Sequence, residues 1–90
     1  MENKWIKYEA DGAAVVTLSK QAEMAGMKVG FLRMREPLVE DQLAVDDIQK
    51  DATKELTLYA NLCMVTPGDL QKLPMRDYKR LQAAFMGFLD

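Results

Sequence analysis

Apolar side chains in the first third of the chain recur at strand spacing. Residues 13–19 (AAVVTLS) and 28–35 (KVGFLRMR) are rich in β-branched and large apolar residues. In the second segment Leu32 and Met34 fall on one face and Phe31 on the other, because side chains alternate along a strand. The pattern predicts the two strands of an antiparallel hairpin.

Glycines indicate the turns of this β region. Between the two strands, Gly26 can supply the positive φ that a tight turn needs. Asp11 and Gly12 form a second turn signal, and residues 4–8 (KWIKY) precede it. We therefore expect a hairpin, which becomes a three-stranded sheet if residues 4–8 join it.

Pro37 changes the periodicity from strand to helix. Proline offers no N–H to a strand ladder and holds the preceding residue extended, so the last strand should end before Pro37. The first helix should begin within two residues of Pro37. Its pattern places Leu43 on the inner face and carboxylates such as Asp41 at the start and on the outer faces.

Three more helical segments follow. Residues 53–64 carry apolar side chains on two sides, which predicts the central helix of the domain. Thr66 is a typical N-cap and predicts a short helix over residues 67–72. Residues 75–89 form the last helix. Its apolar side chains, which recur at three- and four-residue steps, are Tyr78, Leu81, Phe85 and Phe88.

The order of these elements predicts one α+β domain over residues 1–90. Residues 1–36 form the β part, and residues 37–90 form a small bundle of three to four helices. A chain of this length buries roughly 60% of the surface of its unfolded state, so one modest core is expected. The side chains that we assign to that core include Leu81, Met34, Met64 and Met75.

Charge changes the picture in the middle of the chain. The net charge is −2, and residues 36–55 carry seven acidic and two basic side chains. DNA-binding and RNA-binding domains usually show clustered positive charge, so this balance disfavours a nucleic-acid partner. The basic side chains of the last helix, which we expect on a solvated face, are Arg76, Lys79 and Arg80.

Residue types that catalysis or metal binding needs are scarce. The chain has no histidine and one cysteine, Cys63, which we assign to the core. Without a base no hydroxyl or thiol nucleophile is activated, and without further histidine or cysteine no zinc-type site can form. Asp46, Asp47 and Asp51 lack the spacing and the glycine of a calcium loop. We expect no enzymatic activity, no cofactor and no metal.

The sequence also contains no signal for membrane insertion or secretion. No apolar run approaches the roughly 20 residues that span a bilayer. The first twelve residues lack the apolar segment of a signal peptide. We therefore expect a cytoplasmic protein.

Three segments stand in a characteristic order along the chain. They are VTLSK (16–20), LRMREP (32–37) and TPGDLQKLPMRDYKRLQAAFMGFL (66–89). In order, spacing and total length they resemble the tail assembly chaperones of long-tailed phages, the Mu-like family among them. The motif residues that carry the resemblance include Arg35, Glu36, Pro37, Asp77 and Tyr78.

The resemblance implies a non-enzymatic protein that binds the tape measure protein and keeps it soluble for tail tube assembly. It further implies a homo-oligomer, a longer form made by frameshifting, and no nucleic-acid or membrane partner. The location implied is the host cell cytoplasm and not the mature virion. Our candidate partner-binding residues are Phe31, Tyr78, Phe85, Met86 and Phe88.

Two other functions remain open from the residues alone. Residues 66–85 resemble a helix-turn-helix at low resolution, which would suit a small DNA-binding regulator. A small inhibitor or adaptor of a host protein would also need neither a catalytic site nor a cofactor.

Overall fold

The computed structural model describes residues 3–90, and these form three strands followed by four helices. The strands are β1 (Ile6–Tyr8), β2 (Ala14–Met24) and β3 (Met27–Met34). The helices are α1 (Val39–Ala44), α2 (Asp51–Cys63), α3 (Pro67–Gln71) and α4 (Met75–Phe88). The predicted α+β class, with an N-terminal antiparallel hairpin and a small helical bundle, is confirmed.

The strands form one antiparallel sheet in the order β1-β2-β3, so the third strand is present. Ile6, Val16 and Leu32 align across the three strands on the face that packs against the helices. Phe31 stands opposite Thr17 on the other face, where both side chains are exposed. The sheet is therefore covered on one face only, as antiparallel sheets commonly are.

β2 contains an irregularity in its middle. The pairing passes from Thr17 opposite Phe31 to Ala22 opposite Val29. Four residues of β2 therefore stand against a single residue of β3. Extra residues in a bulge are left out of the ladder. This part of β2 consequently has backbone groups that another element can bind.

A two-residue turn, Ala25 and Gly26, joins β2 to β3. Both residues have positive φ, at 54° and 80°, as a type I′ hairpin turn requires. The expected role of Gly26 is confirmed, whereas Ala25 occupies the left-handed region against the preference of its side chain. The backbone N–H of Ala25 donates to Asp69 of α3 at 3.3 Å, which links the turn to the helical part.

α2 is the central helix, as its two apolar sides predicted. It lies against β3, α1 and α3, whereas α4 lies against β2. Leu81 of α4 is completely buried, which confirms its place in the core. The buried residues of α2 are Leu58, Tyr59, Ala60, Leu62 and Cys63.

Thr66 caps α3 as predicted. Its hydroxyl accepts a hydrogen bond from the backbone N–H of Asp69 at 3.1 Å, and the Asp69 carboxylate accepts one from the backbone N–H of Thr66 at 3.3 Å. This reciprocal pair satisfies two of the backbone donors that a helix start leaves free.

Two of the methionines that the pattern assigns to the core are exposed. Met34 is fully buried, but Met64 and Met75 lie at the surface. Met64 ends α2 in the left-handed conformation, with φ of 59°, so its side chain has left the helical stripe. Met75 is the first residue of α4, where the helix has only begun to pack on the domain.

α1 turns the opposite face inward from the one that its sequence predicts. The pattern places Leu43 inward, but in the structure Leu43 is 65% exposed and Val39 is 80% exposed. Asp41, which the pattern places outward, is buried. The reason is a charge partner supplied by Arg35, described below.

Replacement of Ala25 by asparagine should raise the free energy of unfolding. Asparagine tolerates the left-handed region better than alanine, for which that region costs roughly 1 kcal/mol. Urea unfolding should therefore show a gain of up to about 1 kcal/mol. Gly26→Ala, the matched change at the neighbouring position, should lower stability. A loss of stability in Ala25→Asn would contradict the type I′ turn.

Candidate functional site

Asp77 of α4 binds the irregular part of β2. Its side chain is completely buried, and its two oxygens accept hydrogen bonds from the Ser19 backbone N–H at 2.8 Å and the Ser19 hydroxyl at 3.0 Å. Arg80, one turn further along α4, holds its guanidinium 3.9 Å from the same carboxylate. Asp77 of the closing segment and Ser19 of the VTLSK strand therefore meet in the fold.

The prediction that Arg80 lies on a solvated face is wrong. Its guanidinium donates to the backbone oxygen of Thr17 at 2.8 Å and stacks over the ring of Trp5, 4.0 Å from the ring centroid. Only 13% of its side chain is exposed. The difference arises because β2 supplies an acceptor, the Thr17 oxygen, within reach of α4. Arg76 and Lys79 are exposed as predicted.

Arg35 ties the end of β3 to α1. Its guanidinium donates two hydrogen bonds to the carboxylate of Asp41, at 2.6 and 2.9 Å, and the Leu38 backbone N–H donates a third at 2.8 Å. The backbone N–H of Arg35 also donates to the Leu62 oxygen of α2 at 3.1 Å. This bidentate pair lets a carboxylate take the inner side of α1.

The Arg35 guanidinium holds the pKa of the Asp41 carboxyl below its ordinary value of 3.8, and the Leu38 N–H acts in the same direction. Because the pKa of the folded state is the lower one, this tie stabilises the fold fully above the ordinary pKa. Its contribution is lost as the pH falls through the lowered pKa.

Tyr78 joins α4 to α2. Its hydroxyl donates to the Glu55 carboxylate at 2.8 Å, and the amide of Gln82 donates to the same oxygen at 2.9 Å. The Tyr78 ring contacts the ring of Tyr59, with 5.7 Å between centroids. Burial, followed by the adjacent carboxylate of Glu55, raises the pKa of Tyr78 far above its ordinary value.

The C-terminal end of α4 is held against β1. The Tyr8 hydroxyl donates to the Ala84 oxygen at 2.8 Å, and the Tyr8 ring meets the Phe88 ring edge-on at 5.3 Å. Gly87 makes room for this contact, because a Cβ there would lie 1.9 Å from the Tyr8 oxygen. Phe88 therefore has an intramolecular partner near the chain end.

The structure does not bring the five candidate partner-binding residues onto one surface. Phe31 is exposed on the open sheet face, and Met86 is exposed on α4. Tyr78, Phe85 and Phe88 are half-buried and pack against the core. Their assignment as partner-binding residues stays a prediction.

A cleft that the sequence pattern did not predict lies between α1 and the end of α4. We name it the α1–α4 cleft; its volume is about 200 Å³. Leu58 and Phe85 belong to the core that it borders, whereas Leu38, Val39 and Leu89 are exposed. The spacing of Arg35 and Asp41, six residues apart across Pro37, was the signal that could have indicated it. The residues lining the cleft are Pro37, Leu38, Val39, Gln42, Leu58, Phe85 and Leu89.

Two other depressions lie elsewhere on the described surface. A cleft of about 250 Å³ between α2, α3 and the start of α4 has Leu56, Leu73 and Met75 among its lining residues. A wider groove of about 1020 Å³ runs between β1 and the end of α4, and Lys4 and Lys7 are among its lining residues. The wider groove is thus the more strongly charged of the two.

Residues 3–90 offer few groups that could bind a metal ion or act as a nucleophile. No group of three or more potential metal ligands is present among them. Cys63 is buried, and burial raises the pKa of its thiol to about 12, so the reactive thiolate is scarce at neutral pH. Among the same residues, no helix combines the length and the apolar character needed to cross a membrane.

A family model described as "Phage tail assembly chaperone proteins, E, or 41 or 14" matches residues 15–90. The chain belongs to this family. The match runs through β2 and β3 and includes all four helices, and it confirms the family that the motif residues indicated. No curated protein and no solved structure matches the chain.

As a phage tail assembly chaperone, the protein has a protein client, and its family suggests a role without catalysis. The motif residues of this chaperone hold its elements together. Asp77 binds β2, Arg35 binds α1, and Tyr78 binds α2. Glu36 is exposed and Pro37 lines the α1–α4 cleft.

Removal of the Asp77 carboxylate should destabilise this chaperone strongly. Asp77→Ala leaves two donors of Ser19 without their acceptor at a part-buried contact, and hydrogen bonds to a charged group contribute about 1.5–3 kcal/mol each. We expect a loss of about 3 kcal/mol in urea unfolding.

Ser19→Ala removes one of the two bonds and should cost less than Asp77→Ala. Because the two residues share that bond, the double variant should be more stable than the sum of the single effects predicts. Lys79→Ala, on the exposed face of the same helix, is the control. Equal stability of Asp77→Ala and Lys79→Ala would contradict the structural role of Asp77.

Proposed function

We propose that this chaperone binds the tape measure protein of its phage and keeps that protein soluble until the tail tube assembles around it. The observation that carries the proposal is the family match over residues 15–90. A chaperone for a long client needs apolar surface that its own core does not use. Eleven large apolar or aromatic side chains lie exposed among residues 3–90, which supplies such surface.

The exposed methionines support a client with an irregular apolar surface. Met27, Met64, Met75 and Met86 all lie at the surface. Flexible, polarizable thioethers adapt to partners of varied shape. This composition suits a protein that holds many similar segments of a long chain better than one that recognises a single rigid epitope.

The geometry gives less support to the DNA-binding alternative. α4 would be the recognition helix, but it lies against β2 through Asp77 and Arg80. A recognition helix has to present its side chains to the major groove. An inhibitor or adaptor of a host protein would also use exposed apolar surface, but the family match favours the chaperone.

The proposed role is carried out in the host cell cytoplasm, before the client enters the tail, and the chaperone is absent from the mature virion. A longer frameshifted form of the chaperone belongs to the same proposal. In that form the domain described above would be followed by additional chain.

Co-expression of this chaperone with the tape measure protein should move the tape measure protein from the insoluble to the soluble fraction. The physical reason is that the chaperone covers apolar client surface that otherwise associates with itself. Quantification of both fractions after lysis and affinity capture of the complex measure the effect.

Leu81→Ala, which removes a buried side chain at a typical cost of about 2–5 kcal/mol, should reduce the rescue because less chaperone is folded. An unrelated aggregating helical protein is the specificity control and should stay insoluble. A tape measure protein that stays insoluble beside a folded, soluble chaperone would overturn the proposal.

Self-association of the chaperone through β3 is the second part of the proposal. β3 is an edge strand of eight residues, and Phe31 is exposed in its second half. An open edge can pair with another strand, and antiparallel pairing of two copies about Phe31 would join two sheets into one. Such pairing would cover the β3 edges of both copies.

Phe31→Glu should therefore shift the chaperone toward monomer, because two like charges would stand opposite each other in the paired edges. Thr17→Glu adds the same charge to the same sheet face, one strand away from the edge, and should leave the oligomer intact. Sedimentation over a range of concentrations measures both. A wild-type protein that is monomeric at every concentration would exclude this part of the proposal.

A further inference from the structure

We propose that the α1–α4 cleft binds an amphipathic helix of the client whose apolar stripe is flanked by lysine or arginine side chains. This inference rests on the proposed function and adds the position and the chemistry of the client contact. It is carried by an apolar surface that the fold holds outward and by the charges that surround it.

The outward apolar surface of α1 is fixed by the inward position of Asp41. Arg35 binds Asp41 through two hydrogen bonds, so the opposite side of this short helix must face solvent. Val39 and Leu43, one helical turn apart, occupy that side and are exposed. Two apolar side chains at this spacing match the contact that a partner helix makes with a helical ridge.

The cleft beside this ridge offers a recess for an anchoring side chain. Phe85 borders the core at its base, while Leu38 of the α1 side and Leu89 of the α4 side are exposed at its margins. The amide of Gln42 is the polar side chain in its lining. A volume of about 200 Å³ admits a large apolar side chain, and buried anchors of this kind dominate the energy of helix contacts.

The segment that forms the α1 side of the cleft is acidic. Residues 36–47 contain five carboxylates and no lysine or arginine. Among the described residues, Asp41 alone of these five forms a salt bridge. On α1, Glu40 follows Val39 by about 100° around the helix, which places it beside the apolar ridge. On the α4 side, Leu89 is the exposed residue of the lining, and Asp90 after it lies in the groove between β1 and α4.

These charges select the occupant. A second copy of the chain in a symmetric contact would bring the same carboxylates against each other, which is unfavourable. Nucleic acid is repelled for the same reason. A helix with basic residues beside its apolar stripe complements both features, because its leucine-type side chains meet the ridge and its cations meet Glu40 and its neighbours.

The other two depressions give weaker support for binding a basic amphipathic helix. The groove between β1 and α4 has Lys4, Lys7 and Asp90 in its lining, so it offers charges of both signs. In the cleft near Leu56, Met75 is the one lining residue among the exposed large apolar side chains of residues 3–90, so no pair at helical spacing forms a ridge there. The α1–α4 cleft combines an apolar ridge, a recess without charged side chains in its lining, and exposed carboxylates on α1 and the residues that follow it.

Two synthetic peptides of about 18 residues, long enough to form a helix on binding, test the charge preference. They share one apolar stripe of leucines and differ in the flanking positions, which are lysine in one and glutamate in the other. Fluorescence anisotropy at low salt should show the lysine peptide binding at least about tenfold more tightly. High salt should narrow the difference. Equal affinities at low salt would overturn the inference.

Three variants of the chaperone locate the contact. Val39→Ser should weaken binding of the lysine peptide by about tenfold or more, since it removes the side chain of the ridge that also lines the cleft. The charge-reversal variant Glu40→Lys with Asp47→Lys should favour the glutamate peptide instead. Met64→Ser, an exposed apolar position away from the cleft, should change neither affinity. Unchanged binding in Val39→Ser, with folding verified by circular dichroism, would overturn the inference.

Co-expression with the tape measure protein separates this inference from the proposed function. If wild type, Val39→Ser and the charge-reversal variant all keep the tape measure protein soluble, the cleft is not the client site but the chaperone function stands. If wild type fails to do so while the peptides bind as expected, the proposed function is wrong and the charge preference of the cleft remains. Rescue by wild type with loss in both variants supports both.

Discussion

The contact between Asp77 and Ser19 joins the helical part of the molecule to its sheet. A buried carboxylate destabilises a fold by several kcal/mol unless donors surround it. Here β2 supplies those donors, because its irregular middle leaves the Ser19 backbone outside the ladder. With Asp77 in place, α4 lies along β2, and its far end reaches β1 at Tyr8. The bulge and the carboxylate therefore depend on each other.

A second charged contact determines which surface the chaperone presents. α1 has only six residues, too few to form without tertiary contacts. Arg35 binds Asp41 and thereby orients the helix, so Val39 and Leu43 face solvent. Each of these side chains, if fully buried, would stabilise the fold by about 1.5–3 kcal/mol. The folded chain by itself does not gain this free energy. An exposed apolar ridge held by a specific ion pair is the kind of surface that a chaperone uses for its client.

The residues by which the chain resembles its family act mainly inside the molecule. Arg35, Asp77 and Tyr78 each bind a different neighbouring element. Pro37 follows β3 by three residues and lines the cleft. The family motif thus maintains a scaffold. The proposed client contact uses side chains beside that motif, where substitutions alter the surface and leave the internal ties intact.

The sequence by itself determined the elements and their order. The signals for these elements each span only a few residues, so local backbone preferences are enough to interpret them. They are Pro37, the Thr66 cap, Gly26 and the alternation of Leu32 with Met34. The two apolar sides of α2 likewise indicated a central helix. The family also followed from sequence, because the order and spacing of its motifs are properties of the chain and not of its folded contacts.

Only the tertiary structure decided which face of α1 is buried, where Arg80 points, and why Asp77 is inside. The Asp77 and Ser19 atoms that meet are 58 residues apart in the chain, and Arg80 binds a backbone oxygen 63 residues away. A periodicity argument assigns charged side chains to solvent because it contains no information on distant donors. The candidate site had the same origin: the α1–α4 cleft exists because the ion pair between Arg35 and the buried Asp41 reversed the expected orientation of one short helix. Side-chain burial follows the partners that the fold supplies.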